Sequence, residues 1–136
     1  MASSQNTSSQ QCSLNVLSVT RVNDANFMQV VYNSQEPVIV IIFDADKDGD
    51  YSSSVGFLDT FINTANEFHA YAKFVIMNAG DKHSSNSLKM MGYTPNTTYG
   101  EPTMAFVQNH KVISKVLWNY GIQPTVEEWL FLNTNM

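Results

Sequence analysis

Pro37-Val38-Ile39-Val40-Ile41-Ile42-Phe43 is the longest strongly apolar run in the chain. Proline lacks the N–H a sheet ladder needs, so Pro37 closes the linker before it. The six residues that follow are β-branched or aromatic, with no polar residue on either parity. A run of that kind suits a central strand buried on both faces, in a sheet covered by helices on both sides. It is far too short to cross a bilayer, which takes about 20 residues.

Upstream, Leu14, Val16 and Val19 alternate with a polar break at Ser18, which predicts a strand over Leu14 to Val19. Asn23 or Asp24 caps a helix reaching about Tyr32, with Phe27, Val30 and Val31 as its apolar stripe. Downstream, Asp44 to Ser54 is polar and contains Gly49, so it reads as a loop. Leu58, Phe61, Ile62, Ala65 and Phe68 then recur at helical spacing. Lys73 to Met77 is the next strand. Ser84 to Met91 is a weak helix that Gly92 closes. Tyr93 to Gly100 is a turn-rich insertion. Thr103 to Val107 and Val112 to Trp118, with Asn109-His110 between them, read as a hairpin. Thr125 to Leu132 is the last helix, begun by Pro124 or Thr125. The order is βαβαβαββα, an α/β arrangement with a central mixed sheet flanked by helices.

The chain has 136 residues, enough for one domain, and 43% of them are hydrophobic, enough for a sizeable core. Residues 1–13 are nearly all Ser, Gln, Asn and Thr and are expected to form a disordered polar tail before a domain spanning 14–136. Seven basic against twelve acidic residues give a net charge of −5, which argues against nucleic acid or an anionic membrane as partner. Met1-Ala2-Ser3-Ser4 is followed by neither a basic end nor an apolar stretch, so a cytoplasmic location is expected. Cys12 is the one cysteine, so no intramolecular disulfide forms.

The apolar run before a polar loop, and Glu101-Pro102-Thr103 before a second apolar run, Met104-Ala105-Phe106-Val107, together resemble the thioredoxin family. The resemblance covers roughly residues 14 to 133 and implies a thioredoxin-like fold. It also implies a cis-proline at Pro102, a redox loop after Phe43 and a substrate groove between the two. Aligned without a gap from Pro37, Lys47 and Asp50 stand at the family's two cysteine positions. Asp46 stands where an aromatic residue precedes the first cysteine, and Ile41 where the family often has a buried Asp that moves protons. The family's reactivity rests on a thiolate stabilised at a helix N-terminus and a second, resolving thiol. Neither is present, so a redox-inactive member is expected. Cys12 sits in the polar tail with no positive neighbour and does not supply a reactive thiolate.

Asp44-Ala45-Asp46-Lys47-Asp48-Gly49-Asp50 matches the first half of a calcium loop, D-x-D-x-D-G. An EF-hand needs a bidentate Glu at the twelfth position, and Val55 stands there. Three readings stay open: a solvated turn that caps the next helix, a weak Ca2+ site on Asp44, Asp46, Asp48 and Asp50, or an acidic docking surface. In the family the residue before the cis-proline faces the redox loop, so the resemblance places Glu101 beside Asp46, Asp48 and Asp50. Tyr99 and its neighbours in the 93–100 insertion are further contact candidates. His69, His83 and His110 have no mutual ligand spacing, and Ser52-Ser53-Ser54 lacks a nucleophile-elbow context. The expected function is a non-catalytic protein-interaction module, adaptor or subunit. It would use Asp46, Lys47, Asp48, Gly49, Asp50, Tyr99, Glu101 and Pro102 on the former redox face. The partner's identity is not legible, no cofactor is expected, and a weak cation-binding domain is the alternative.

Overall fold

In the computed structural model of the protein, which describes residues 18–44, 57–94, 102–117 and 122–134, the Val38–Phe43 run is the middle strand of a five-stranded sheet. All six of its residues are buried. We number the strands β1 (Val19–Arg21), β2 (Val38–Phe43), β3 (Lys73–Asn78), β4 (Thr103–Gln108) and β5 (Lys111–Leu117). Their order across the sheet is β1-β3-β2-β4-β5. β1, β3 and β2 are parallel, whereas β4 runs antiparallel to β2 and β5 antiparallel to β4. The helices are α1 (Phe57–Phe68), α2 (Ser85–Met90) and α3 (Ile122–Asn133). A short π-helical segment, Met28–Tyr32, follows β1, and a 3-10 turn, Lys82–Ser84, leads into α2.

The two parities of β2 feed two cores. Ile39, Ile41 and Phe43 join Phe61, Ala65 and Phe68 of α1 and Val126, Trp129 and Leu130 of α3 on one side of the sheet. Val38, Val40 and Ile42 join Phe27 and Val31 beside the π-helical segment and Leu88 and Met91 around α2 on the other. Helices on both faces explain why β2 reads as apolar without alternation. β5 is the contrasting case: its exposure alternates along the strand, as an outer strand's does. The β4–β5 turn places Asn109 and His110 at φ 55° and 66°, the paired left-handed residues of a two-residue hairpin.

Three elements differ from their sequence reading. The first strand covers Val19–Arg21 instead of Leu14 to Val19; residues 14–17 lie outside the described residues, and Ser18 is in a turn. The first helix is cut down to the π-helical segment, closed by Asn33 N–H donating to the Met28 carbonyl at 2.8 Å. The last helix begins at Ile122, with Pro124 inside its first turn, where no intrahelical N–H bond is lost.

Asn23 does act at the start of the 23–32 turn: its Oδ1 accepts from Ala25 N–H at 2.8 Å, and its carbonyl accepts from Phe27 N–H at 2.9 Å. Asp24 serves a different helix. Its Oδ1 accepts from the backbone N–H of Ser87 at 2.8 Å and from the Ser87 hydroxyl at 2.6 Å, across 63 residues of sequence. The exposed first-turn N–H groups of α2 are therefore met from outside the helix. The hydrogen bond from Ser87 is the largest cause that holds the Asp24 carboxyl below its ordinary value. A depressed carboxyl contributes stability above the unfolded-state pKa, and that contribution disappears as the pH falls through the lower folded-state value. Asp24→Asn is thus expected to lower the melting temperature at pH 7 and to leave a smaller difference from the parent at pH 2–3. Melting curves at both pH values check this, and a deficit of equal size at both would remove the charge from the account.

Among the described residues no helix is long and apolar enough to cross a membrane.

Candidate functional site

The register Ile42↔Thr103 sets the carboxyl end of β2 beside the amino end of β4. The chain segments carrying Asp46–Asp50 and Tyr99–Glu101 therefore leave the sheet from adjacent strands. Asp46, Lys47, Asp48, Gly49, Asp50, Tyr99 and Glu101 themselves lie outside the described residues. So does the first half of the Glu101–Pro102 bond; no cis peptide occurs among the described residues. Pro102 is buried, and Thr103 is 8% exposed at the start of β4.

Of the four loop aspartates, Asp44 is the one described. It is half-buried where β2 ends and sits against the turn that follows β3. A Cβ at Gly80 would come within 2.8 Å of Asp44 Oδ1, so any larger residue there would have to push the Asp44 carboxylate aside. The turn is tied by Gly80 N–H donating to Asn78 Oδ1 at 2.9 Å and Ala79 N–H donating to the Phe43 carbonyl at 2.7 Å. Among the described residues no group of three or more His, Cys, Asp or Glu side chains converges as a metal site.

Ile41 lies beneath this rim, fully buried, between Ile76 of β3 and Met104 of β4. Every neighbour in its cluster is a hydrocarbon, thioether or aromatic side chain. Among the described residues of that cluster no side chain takes up or delivers a proton, and the nearest described carboxyl along the strand is Asp44, at the strand's end.

On the β5 side of the rim, Tyr93, Thr94, Thr103, Lys115, Val116 and Leu117 line a shallow hollow of about 190 Å³. Lys115 Nζ donates to the Gly92 carbonyl at 2.7 Å and so ties the end of α2 to the hairpin. Sequence reasoning missed this hollow. Its signal was the hairpin register, which sets Leu117 opposite Thr103.

The chain superposes on thioredoxin f from spinach chloroplast (long form) with a TM-score of 0.67. The match covers 95% of this chain and 99% of that one at 16% identity. The fold is thioredoxin-like. A chain from the complex of ferredoxin:thioredoxin reductase with thioredoxin f2 gives a TM-score of 0.62 at 14% identity, covering 82% of this chain and 93% of that one. No protein-family model and no curated relative matches. Within the thioredoxin-like frame the expected mixed sheet and element order are present. With Cys12 as its single cysteine, the chain has no dithiol pair.

Proposed function

We propose that the protein is a non-catalytic interaction module that binds a protein partner on the rim between the end of β2 and the start of β4. The observation that carries this reading is Ile41: a fully buried hydrocarbon occupies the centre of a thioredoxin-like frame, at the position where the family often has a proton-moving Asp. The frame is retained and the chemistry it serves elsewhere is not. Partner binding is the use of the fold that needs no thiol, and one of the similar solved structures is a thioredoxin f2 complex with a reductase. In this chain the contact residues are Asp46, Lys47, Asp48, Gly49, Asp50, Tyr99, Glu101 and Pro102. Five acidic residues at positions 44, 46, 48, 50 and 101, against Lys47, match a basic partner surface, whose approach they would steer.

Two measurements test the reading. In an insulin-reduction assay the purified protein is expected to give no turnover above background, and turnover from material cleared of contaminating reductases would overturn it. Co-purification from the native source is then compared for the parent and for Asp46→Lys/Asp48→Lys/Glu101→Lys. A partner held by the parent in the presence of chelator and lost by the variant is the expected outcome. Retention of every partner by the variant would remove this face from the interaction. Loss from the parent on chelation would favour the alternative, a weak divalent-cation site on the aspartate loop.

A further inference from the structure

A second concave site lies at the carboxyl ends of β1 and β3, at the same end of the sheet as the β2–β4 rim and next to it across the Phe43↔Asn78 pair. Its volume is about 290 Å³, and it is lined by Arg21, Val22, Asn23, Asn26, Ile76, Asn78, Asp81 and Ser84. Val22 and Ile76 are the apolar members, 5% and 7% exposed, and the remaining six are polar or charged. The lining is more polar than that of a usual small-molecule site and the volume lies just under the usual lower bound of about 300 Å³, so an occupant must be small and strongly polar.

The hydrogen bonds already made in this wall decide what it has left to offer. Asn26 Oδ1 accepts from Asn23 N–H, and Asn26 Nδ2 donates to the Arg21 carbonyl, so Asn26 is committed at both ends. Asn23 Oδ1 is held by Ala25 N–H, Asn78 Oδ1 by Gly80 N–H and Asp81 Oδ1 by His83 N–H. Each amide oxygen of the wall therefore already accepts one bond within its own turn. Three donors remain without a partner among the described residues: the Arg21 guanidinium, Asn23 Nδ2 and the Ser84 hydroxyl. Ser84 is 1% exposed and its Oγ is buried with no hydrogen bond, and an orphan buried hydroxyl is uncommon in a folded protein. On the acceptor side the second oxygen of Asp81 is left. Arg21 and Asp81 carry opposite charges, so the wall as a whole is neutral.

From this remainder we infer that the cavity binds a small carboxylate bearing an adjacent donor, an α-amino or α-hydroxy acid. The ligand carboxylate accepts from the Arg21 fork and Asn23 Nδ2, where a planar guanidinium suits a planar carboxylate. The adjacent ammonium or hydroxyl donates to Asp81. A plain inorganic anion satisfies Arg21 and is repelled by Asp81. A plain amine does the reverse. The site uses none of the contact residues proposed for the rim, although its Asn78 pairs with Phe43 at the end of β2.

The test uses the full chain and four probes: glycine, glycolate, acetate and methylammonium. Glycine and glycolate are expected to shift the amide resonances of residues 21–26 and 76–84 saturably, with a Kd of about 1–10 mM, as befits so few contacts. Acetate is expected to bind at least about five-fold more weakly and methylammonium not at all. Arg21 is exposed, so Arg21→Gln should fold normally and weaken glycine about ten-fold or more. Asp81→Asn keeps Oδ1 for His83 and should erase the preference of glycine over acetate. The assignment is overturned if none of the probes saturates at concentrations ten-fold above that range. It is also overturned if sodium chloride at the ionic strength of the sodium glycolate titration gives the same shifts, or if Arg21→Gln binds glycine as the parent does.

Discussion

Ile41→Asp is expected to leave the protein largely unfolded at pH 7. Ile41 has no exposed surface, and its strand neighbours Ile76 and Met104 are 7% and 0% exposed. The substitution first removes a buried branched side chain, a loss of about 2–5 kcal/mol for truncation at such sites. It then places a carboxyl in an apolar cluster with no basic group among the described residues. Burial raises the carboxyl's folded-state pKa above its unfolded value, so the charge penalty is absent below about pH 4 and grows by about 1.4 kcal/mol per pH unit above it. Together these reach the 5–15 kcal/mol that holds a typical domain folded. Urea titrations of the variant and the parent at pH 4 and pH 7 read the effect. The gap between them should widen toward pH 7, whereas Ile41→Asn should show a deficit independent of pH. A parent-like midpoint for Ile41→Asp at pH 7 would mean that a proton-relay pocket survives in β2, and would reopen the question of chemistry.

The second large effect belongs to α3. Trp129 is 7% exposed and stacks on Phe106 of β4 with ring centroids 4.8 Å apart and planes 17° from parallel. This contact fastens the last helix to the sheet. Trp129→Ala is expected to cost about 3–5 kcal/mol, the usual range for removing a buried large aromatic. Trp129 Nε1 is buried and has no hydrogen-bond partner among the described residues, an unpaired donor that costs about 1–3 kcal/mol. Trp129→Phe keeps a ring for Phe106 and deletes that donor, so its deficit should stay within about 1 kcal/mol of the parent. Denaturation midpoints for the two variants check the pair. Equal losses for Ala and Phe would show that the indole N–H is satisfied in solution.

The parts of the fold legible in sequence were those where one physical signal dominated. Val38–Phe43 is apolar on both parities because both faces of β2 are covered. Phe61, Ala65 and Phe68 keep helical spacing because one face of α1 meets that sheet. Asn109-His110 supplies the paired left-handed residues of a tight hairpin. The signal failed where burial was partial. β1 is a three-residue outer strand with exposed Thr20 and Arg21, so alternation could not fix its position. The role of Asp24 was hidden because its partners stand 62 and 63 positions away. The aspartate loop was legible as composition only, and Asp44, its described member, proved to be packed against Gly80. The cavity at the ends of β1 and β3 had no sequence signature. Its walls come from the 21–26 and 76–84 stretches, and its chemistry depends on which amide oxygens local turns have already used.

The bond from Asp24 to the start of α2 has a consequence for how the molecule opens. β1 pairs with β3 over three residues, too few to hold an outer strand firmly. Asp24 N–H donates to the His83 carbonyl at 2.7 Å, while its carboxylate holds Asn86 and Ser87. The stretch after β1 is thereby latched, in both directions, to the 82–87 segment. The two pieces form one cooperative unit of local unfolding despite their distance in sequence. Amide protons of Val22, which donates to the Ile76 carbonyl, and of Ser87 should then exchange with deuterium at a common opening free energy. Cutting the latch at Asp24 should accelerate both together and leave the amides of β2 at their original pace.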